Sequence, residues 1–235
     1  MSFSAVSKAD QRVELWTQVT VAGVEYLRLP LRTRWLNETD DLVLALKENL
    51  ELARPGDTIG VSETVTILLT GHTVDIRNMQ PGRLARMLAR YVRPRGEHAR
   101  GLSVPEKMEY VLRTVGLWRI IPAAIAGALT RPFGIRGTFY RVAGPIARDV
   151  DGGPHTPYEH MLFPPLDAEV AQRICADLEQ ALDIGVSIVD LNDFGGRIRA
   201  VSPRSLSKET LAAVLSDNPL GQHLTSTPFV LVRPA

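Results

Sequence analysis

The pattern of apolar and polar residues predicts a chain that mixes strands with helices. Residues 24–31 alternate as a half-buried strand does, and the apolar run at 185–189 is typical of a fully buried strand. Apolar residues at helical spacing, as over 167–182, predict helices that bury one face. The predicted strands cover residues 24–31, 58–69, 73–76, 139–146, 185–189, 197–201 and 229–232, and the predicted helices begin near 42 and 81 or cover 105–115, 120–129, 167–182 and 207–215.

Local signals at the ends of these segments support the boundaries. The sequence Asn-Glu-Thr-Asp-Asp at 37–41 offers side chains that cap a helix start, and its acids suit the positive end of the helix dipole. Pro81 fits the first turn of the next helix, and Gly116 is suited to end the helix at 105–115. The segment 120–129 is apolar nearly all round, which predicts that this helix is buried.

The order of these elements predicts an α+β fold. Strands and helices follow one another without a steady βαβ rhythm, so a doubly wound sheet is disfavoured. We expect a mixed α/β lobe from residues 1–80 and 185–235, in which residues 1–20 are a loose arm or an added strand. Residues 81–184 are expected to form a mainly helical lobe, with a strand that leads to an acidic loop.

Composition favours a folded cytoplasmic protein that binds neither membranes nor nucleic acid. Hydrophobic residues make up 45% of the 235 residues, and the net charge is only +1. Cys175 is the one cysteine, so a disulfide within the chain is excluded, and its helical surroundings predict a buried thiol. The start of the chain lacks the apolar core of a signal peptide, and the apolar stretch at 117–129 is too short for a membrane span of about 20 residues. The arginines of residues 83–95 fit either a polyanion-binding surface or a solvated helix face, and we favour the solvated face.

Three loops that combine Asp or Asn with Gly are the candidates for chemistry. They cover residues 149–153, 190–196 and 217–222, and the second directly follows the buried strand at 185–189. Carboxylate and amide oxygens are the ligands that Mg²⁺ and Mn²⁺ prefer, and glycine lets the backbone approach a ligand closely. Each loop taken alone is better explained as an ordinary turn, because Asp, Asn and Gly favour turns.

Other single residues are candidates for contact with a ligand. Glu63 is an acid in an otherwise apolar strand, Arg136 lies between two glycines where it can grip phosphate, and Asn192 and Asn218 are amides of the acidic loops. The chain has neither a Walker-type phosphate loop nor a dinucleotide-binding glycine motif after a strand. A nucleophile-elbow sequence is also absent.

Taken together, several short motifs resemble the coenzyme F420 γ-glutamyl ligase family and its bacterial relatives, over about residues 32–233. The motifs are Arg32-Thr33-Arg34, Asp40-Asp41-Leu42, Pro55-Gly56-Asp57, Ser62-Glu63, the run from Gly137 to Gly144 followed by Asp151, Leu162-Phe163-Pro164-Pro165, Val189-Asp190 through Phe194-Gly195, and Asp217 through Gln222 with Thr227-Pro228.

The resemblance implies a two-lobed α+β fold of that ligase type, usually a homodimer. It implies a reaction that joins glutamate to a small carboxylic acid through an acyl phosphate, with GTP or ATP and divalent ions. Asp151 and Asp190 would be metal ligands, Asp193 would replace or supplement Asp190, and Gln222 would be a further ligand or phosphate contact. Glu63 would lie at the nucleotide side, and Arg136, Asn192 and Asn218 would be further nucleotide contacts.

The chain departs from the family pattern at three places. Thr64 stands where the ligases carry Lys, Gly153-Pro154 replace Ser-Asn, and Gly196 replaces an Arg that here comes one residue later. A missing Lys removes a cation from a triphosphate site. A changed acceptor, a changed nucleotide and a loss of catalysis are all open, so a binding protein that keeps the ligase fold is the alternative to a ligase.

Overall fold

The computed structural model describes residues 16–77, 79–92, 101–153, 158–192, 196–221 and 226–235. Contacts divide the protein into two units. The first takes in the described residues within 1–71 and 166–235, and the second takes in those within 72–165. The first unit is therefore built from two separate stretches of chain, and the second from one continuous stretch inserted between them.

The described residues alternate between strands and helices. The strands are β1 (Thr17–Val21), β2 (Val24–Leu31), β3 (Thr58–Ser62), β4 (Val74–Asp75), β5 (Asp151–Gly152), β6 (Met161–Phe163), β7 (Gly185–Asp190), β8 (Arg197–Val201) and β9 (Phe229–Pro234). The α-helices are α1 (Leu42–Lys47), α2 (Glu63–Leu69), α3 (Arg83–Tyr91), α4 (Pro105–Val115), α5 (Leu117–Thr130), α6 (Thr138–Ala143), α7 (Pro145–Asp149), α8 (Ala168–Leu182) and α9 (Lys208–Val214). This mixture confirms the α+β class, and no helix in the described part of the chain is long and apolar enough to cross a membrane.

The first unit is organised by a six-stranded sheet in the order β1-β2-β9-β3-β7-β8. Only β3 and β7 are paired in parallel, and the other neighbours are antiparallel. The β1–β2 hairpin turns at Ala22 and Gly23, whose positive φ angles of 50° and 82° suit the right-handed twist of the two strands. Gly60 lets β9 approach β3 closely, because a Cβ atom there would lie 2.8 Å from Cγ1 of Val230.

Helices cover this sheet, and three of them begin at a side-chain cap. Asp41 caps α1, Asp167 caps α8 and Ser207 caps α9, each accepting a hydrogen bond from a backbone amide of the first turn. α9 packs on one face of the sheet, against Val189 and Val230 among others. Because side chains alternate along a strand, Asp190 at the end of β7 points to the opposite face. The caps confirm the predicted starts of these three helices.

The predicted strand at 58–69 is wrong in its second half. β3 ends at Ser62, and α2 begins at Glu63. The β-branched run from Thr64 to Ile67 favours a strand by local preference. The helix instead buries Thr66, Ile67 and Leu68, and the hydroxyl of Thr66 donates to the carbonyl of Ser62 at 3.0 Å, so burial outweighs local preference.

The second unit is mainly helical and contains a small antiparallel sheet in the order β4-β6-β5. β4 lies in the predicted strand at 73–76, and it pairs with β6 and not with the preceding strand β3. The core of the unit joins residues of α3 to α7, including Ala85, Met108, Ile120 and Ala147. Gly127 of α5 permits close packing with α6, because a Cβ atom there would lie 3.1 Å from Cβ of Phe139.

Two further predictions for this unit are wrong. The segment 139–146 is not a strand that leads to the acidic loop, because α6 and α7 occupy it and Gly144, at a φ of 96°, separates them. α5 is not buried all round, since Ile120 and Ala123 face the core while Trp118 is 77% exposed. The pattern at 120–129 correctly indicated an apolar helix but overestimated how much of it this chain covers.

Candidate functional site

Glu63 and Asp190 meet because β3 and β7 run in parallel. The register pairs Ser62 with Val189, so the next residue of each strand emerges at the same edge of the sheet. Glu63 begins α2, and Asp190 is the last residue of β7. The carboxyl ends of parallel strands are the usual position of ligand sites in α/β sheets, and the structure brings two predicted site residues to this position.

Glu63 is buried, and both of its carboxylate oxygens are engaged. The residue is only 5% exposed. Oε1 accepts a hydrogen bond from the backbone N–H of Leu166 at 2.8 Å, and Oε2 accepts one from Nη2 of Arg199 at 2.8 Å. A buried carboxylate needs such partners to offset the loss of water. Glu63 therefore holds Arg199 and the chain just before α8 in place.

Arg199 reaches this cluster from a β-bulge in β8. Ile188 pairs with Ala200 and Val189 pairs with Ile198, so Arg199 is the extra residue between them. A bulge re-aims a side chain and is often found next to active sites. Nη2 of Arg199 also lies 4.0 Å from Oδ2 of Asp190, which places the guanidinium between two carboxylates.

Asp190 is the accessible member of the cluster. Its side chain is 37% exposed, and its distance of 4.0 Å from Arg199 is longer than the 2.8 Å between Arg199 and Glu63. The guanidinium therefore lies closer to Glu63 than to Asp190, whose carboxylate is the more exposed of the two. The half-buried Asn192 follows two residues later and adds an amide oxygen at the same strand end.

A shallow cavity of about 490 Å³ lies beside this cluster in the first unit. It is lined by Ala168, Glu169, Gln172, Arg173, Arg199 and Lys208. Its volume falls within the range of small-molecule sites, about 300–1,000 Å³. Nζ of Lys208 donates to the carbonyl of Arg199 at 3.0 Å, which ties the lysine to the bulge. Three cationic side chains against one acid make this wall suited to an anionic ligand.

Asp151 lies in the second unit, where it faces a buried lysine. The side chain of Lys107 is only 5% exposed, that of Asp151 is 72% exposed, and Nζ lies 3.7 Å from Oδ1. Burial lowers the pKa of Lys107, and the nearby carboxylate of Asp151 partly offsets that shift. Sequence reasoning missed Lys107, although its position between Val104 and Val111 on the buried face of α4 was the signal that could have found it.

The turn of the third acidic loop is anchored to the sheet of the first unit. Asp217 forms an ion pair with the buried Arg28, whose Nη1 also donates to the carbonyl of Val214 at 2.8 Å. The hydrogen bond from Arg28 lowers the pKa of Asp217. Asn218 is buried at a left-handed φ of 52°, and its Nδ2 donates to the carbonyl of Gly221 at 3.3 Å. These contacts are those of a turn.

The remaining predicted site residues are spread over the chain. Arg136 is an exposed residue of the second unit, in the segment between the 3₁₀ helix at Arg131–Phe133 and α6. Asp193 and Gln222 lie outside the described residues. Among the residues that are described, no group of three His, Cys, Asp or Glu side chains comes together as a metal site would require. Their assignment as ligands stays a prediction.

Comparison with protein-family models and with curated proteins identified no relative of this chain. No protein-family model matches the chain, and no curated protein is significantly similar to it in sequence. The resemblance to the γ-glutamyl ligases therefore rests on the combination of short motifs, and the site has to be argued from its geometry.

Proposed function

We propose that this protein is an amide ligase that depends on a nucleotide and a divalent metal ion and joins an amino acid to a small carboxylic acid. The observation that carries this proposal is the meeting of Glu63 and Asp190 at the carboxyl ends of β3 and β7, with Arg199 between them. The motif resemblance supports the same reaction class, and we propose that the fold is of the F420 γ-glutamyl ligase type.

The proposed reaction has two steps. A carboxylate oxygen of the acceptor attacks the γ-phosphorus of ATP or GTP, the bond to the bridging oxygen breaks, and the nucleoside diphosphate leaves behind an acyl phosphate. The amine of the amino acid, which the resemblance suggests is glutamate, then attacks the acyl carbon. Inorganic phosphate leaves with the electrons of the broken C–O bond, and the ammonium proton passes to solvent.

Asp190 and Asn192 fit a Mg²⁺ or Mn²⁺ ion. Such ions take oxygen ligands and often keep several waters and substrate phosphates beside only one or two carboxylates. Glu63 is left out of the proposed ligand set, because its side chain is buried and paired with Arg199. The resemblance adds Asp151, Asp193 and Gln222 to the ligand set. A bound ion would supply charge neutralisation to the phosphoryl group during transfer.

The cationic side chains of the first unit supply the other part of the proposed site. Glu63 acts as a positioning residue, because it fixes the guanidinium of Arg199 at the strand ends. Arg173 and Lys208 line the cavity and are suited to contact phosphate or a substrate carboxylate. We propose that they compensate for Thr64, which stands in place of the lysine of the resembling family.

Nucleotide binding tests the proposal. Isothermal titration with ATP and with GTP, each with Mg²⁺ or Mn²⁺, is expected to show binding of at least one pair. Asp190→Asn is expected to weaken it about tenfold or more, a loss of roughly 1.4 kcal/mol. Asp177→Asn is the matched control, because Asp177 is an exposed acid on α8 of the same unit. Absence of binding to the folded protein overturns the proposal.

Trapping of the acyl phosphate tests the reaction itself. Hydroxylamine attacks an acyl phosphate in place of the amino acid, so a mixture of candidate acids is expected to give a hydroxamate that depends on nucleotide and metal. Asp190→Asn and Asp151→Asn are expected to reduce its formation, whereas Asp177→Asn leaves it unchanged. Hydroxamate that forms equally without nucleotide contradicts the mechanism.

A non-catalytic binding protein that keeps the ligase fold is the second candidate. It is favoured by the full engagement of Glu63 inside the protein and by Thr64 in place of lysine. Under this alternative, Asp190→Ala and Asp193→Ala leave the function in the host unchanged, and no acid yields a hydroxamate. Loss of the host function in these variants argues against it.

A further inference from the structure

The outward face of α5 is apolar from its first turn to its last. Five large side chains of this helix are between 45% and 77% exposed, namely Leu117, Trp118, Ile121, Ile125 and Leu129. They recur every three or four residues, so they lie on the side of the helix opposite Ile120 and Ala123, which face the core. Phe133 and Ile135 follow the helix directly and are exposed as well. We call these seven exposed residues the α5 face.

The α5 face is larger than the apolar patches that monomeric proteins usually expose. With side chains of about 200 Å² each, its residues together present on the order of 800 Å². The one charged residue of α5, Arg119, is half-buried, and its Nε donates to the carbonyl of Val142 at 2.8 Å, so it is used within the fold. The largest apolar patch on a typical monomer is about 300–600 Å², and larger patches mark contacts with a protein or a membrane. The α5 face is therefore a binding surface, and the charges around it indicate the kind of partner.

The charges of the second unit are strongly unequal, although those of the whole chain nearly balance. Residues 72–165 contain 14 Lys and Arg against 7 Asp and Glu, a net charge of +7, so the rest of the chain carries −6. The inequality is greatest around α5, because six arginines but no Asp or Glu occur between Glu109 and Asp149. The net charge of +1 disfavours membrane binding only when the chain is taken as a whole, and it conceals this separation of charge.

Two exposed arginines lie beside the apolar residues at the end of α5. Arg131 directly follows the helix, and Arg136 is next to Ile135 in the chain. Among the described residues, the ion pairs of neighbouring arginines are those of Arg113 and Arg148, and they do not include Arg131 or Arg136. These two positive charges are therefore suited to an anion outside the protein, at the edge of the α5 face.

We propose that the α5 face docks this protein on the surface of a lipid bilayer that contains anionic lipids. The proposal does not depend on the ligase activity. An anionic bilayer offers negative headgroups directly above apolar chains, which matches the two arginines beside the apolar side chains. Trp118, which is 77% exposed at the start of α5, is a residue type enriched where headgroups meet acyl chains. The absence of Asp and Glu between residues 109 and 149 removes the repulsion that acids would have with such a surface.

Vesicle flotation of the full chain, without nucleotide, tests the electrostatic part of the proposal. The protein is expected to bind vesicles of phosphatidylcholine with phosphatidylglycerol about tenfold or more tightly than pure phosphatidylcholine, and salt near 1 M is expected to remove this preference. The double variant Arg131→Gln, Arg136→Gln is expected to lose about tenfold in binding to the anionic vesicles. Arg32→Gln, Arg54→Gln is the matched control, because these arginines are exposed in the first unit, and it is expected to bind as the wild type does.

Substitution of one exposed leucine tests the apolar part. Leu129→Ser is expected to weaken binding to anionic vesicles about tenfold, because the side chain no longer enters the acyl region. Leu44→Ser is the matched control, since Leu44 on α1 of the first unit is 62% exposed and Leu129 is 66% exposed. It is expected to leave binding unchanged.

Tryptophan fluorescence of the wild type provides a measurement that does not depend on the stability of a variant. Anionic vesicles are expected to shift the emission to shorter wavelength, and lipids brominated on their acyl chains are expected to quench it. Trp118→Phe is expected to remove both effects, although Trp16 and Trp35 remain. Absence of binding to anionic vesicles, equal effects of Leu129→Ser and Leu44→Ser, or quenching that persists in Trp118→Phe overturns the proposal. An oligomer that shields Trp118 without vesicles also overturns it and assigns the face to a protein partner.

Discussion

At the scale of single residues, the carboxylate of Glu63 is a charged group that is buried in the folded protein. Its carboxylate is stabilised by the N–H of Leu166 and the guanidinium of Arg199, and the side chain of Arg199 is itself only 14% exposed. Removing one partner of a buried ion pair is costly because the other charge stays buried without compensation. The stability of the protein and the geometry of the proposed site therefore both depend on the ion pair between Glu63 and Arg199.

Glu63→Gln tests that dependence. Glutamine keeps an acceptor for the N–H of Leu166 but loses the negative charge opposite Arg199, so the free energy of unfolding is expected to fall by about 3 kcal/mol. Urea denaturation followed by circular dichroism measures this change. Glu25→Gln, at an exposed position of β2, is the control and is expected to change stability by less than about 0.5 kcal/mol. Equal effects of the two substitutions contradict the structural role given to Glu63.

Lys107 is a residue whose charge should make stability depend on pH. Burial lowers its pKa below the ordinary value of 10.5, so between the two values the unfolded chain binds more protons than the folded one. The free energy of unfolding therefore rises with pH through this window and levels off above 10.5. Below the window, the folded protein carries the full penalty of a buried ammonium.

The difference between wild type and Lys107→Met isolates this effect. Urea unfolding in the presence of a chelator is expected to show Lys107→Met more stable at neutral pH, with the difference shrinking as pH rises towards 10.5. The Cys175 thiol, whose pKa burial raises to about 12, has the opposite effect but cancels in the difference. Lys47→Met, at an exposed lysine of α1, is expected to show no such trend. A difference that is constant with pH contradicts the lowered pKa.

At the scale of elements, predictions succeeded where the signal is local. The helices that Asp41, Asp167 and Ser207 cap begin where the sequence predicts, because a cap acts on amides within the next three residues. The failures at 63–69 and 139–146 are β-branched or aromatic segments that tertiary packing turns into helices. Such packing depends on distant partners, which no local pattern reveals.

The candidate site likewise contains residues that the sequence reveals and one residue that depends on tertiary structure. Glu63 and Asp190 are conspicuous in the sequence, as acids beside apolar runs. Arg199 was missed because its direction depends on a bulge in β8, and a bulge is defined only against the neighbouring strand. The sequence therefore supplied the carboxylates of the cluster but not the guanidinium that connects them.

The pairing of β5 with β6 leads to a prediction at the scale of elements. Gly152 has a φ of 83°, and a Cβ atom there would lie 2.4 Å from the carbonyl oxygen of Met161. Gly152→Ala therefore adds a backbone clash to left-handed strain and is expected to cost about 3 kcal/mol or more. Gly134→Ala is the control, because Gly134 has a φ of 75° and no atom within 4 Å of the added Cβ. It is expected to cost only about 1–2 kcal/mol in thermal or urea unfolding, and equal losses would show that the clash relaxes freely.

At the scale of the whole molecule, the topology was the least predictable property. The sequence indicated the strands of the main sheet but not their order, since strand order is determined by pairings between distant segments. The motif resemblance supplied an expected two-lobed fold, whereas alternation and helical spacing supplied only the elements.

The position of β9 has a consequence for how the protein is made. β9 comes last of the strands in sequence, yet it lies between β2 and β3 near the middle of the main sheet. β9 is the strand that connects β2 to β3 in the sheet. During synthesis the β1–β2 hairpin can therefore join the part of the sheet that contains β3 and β7 only after β9 has left the ribosome. The continuous unit within 72–165 has all of its partners earlier and is free to fold first. The first unit thus begins before the second in the chain but is expected to finish after it.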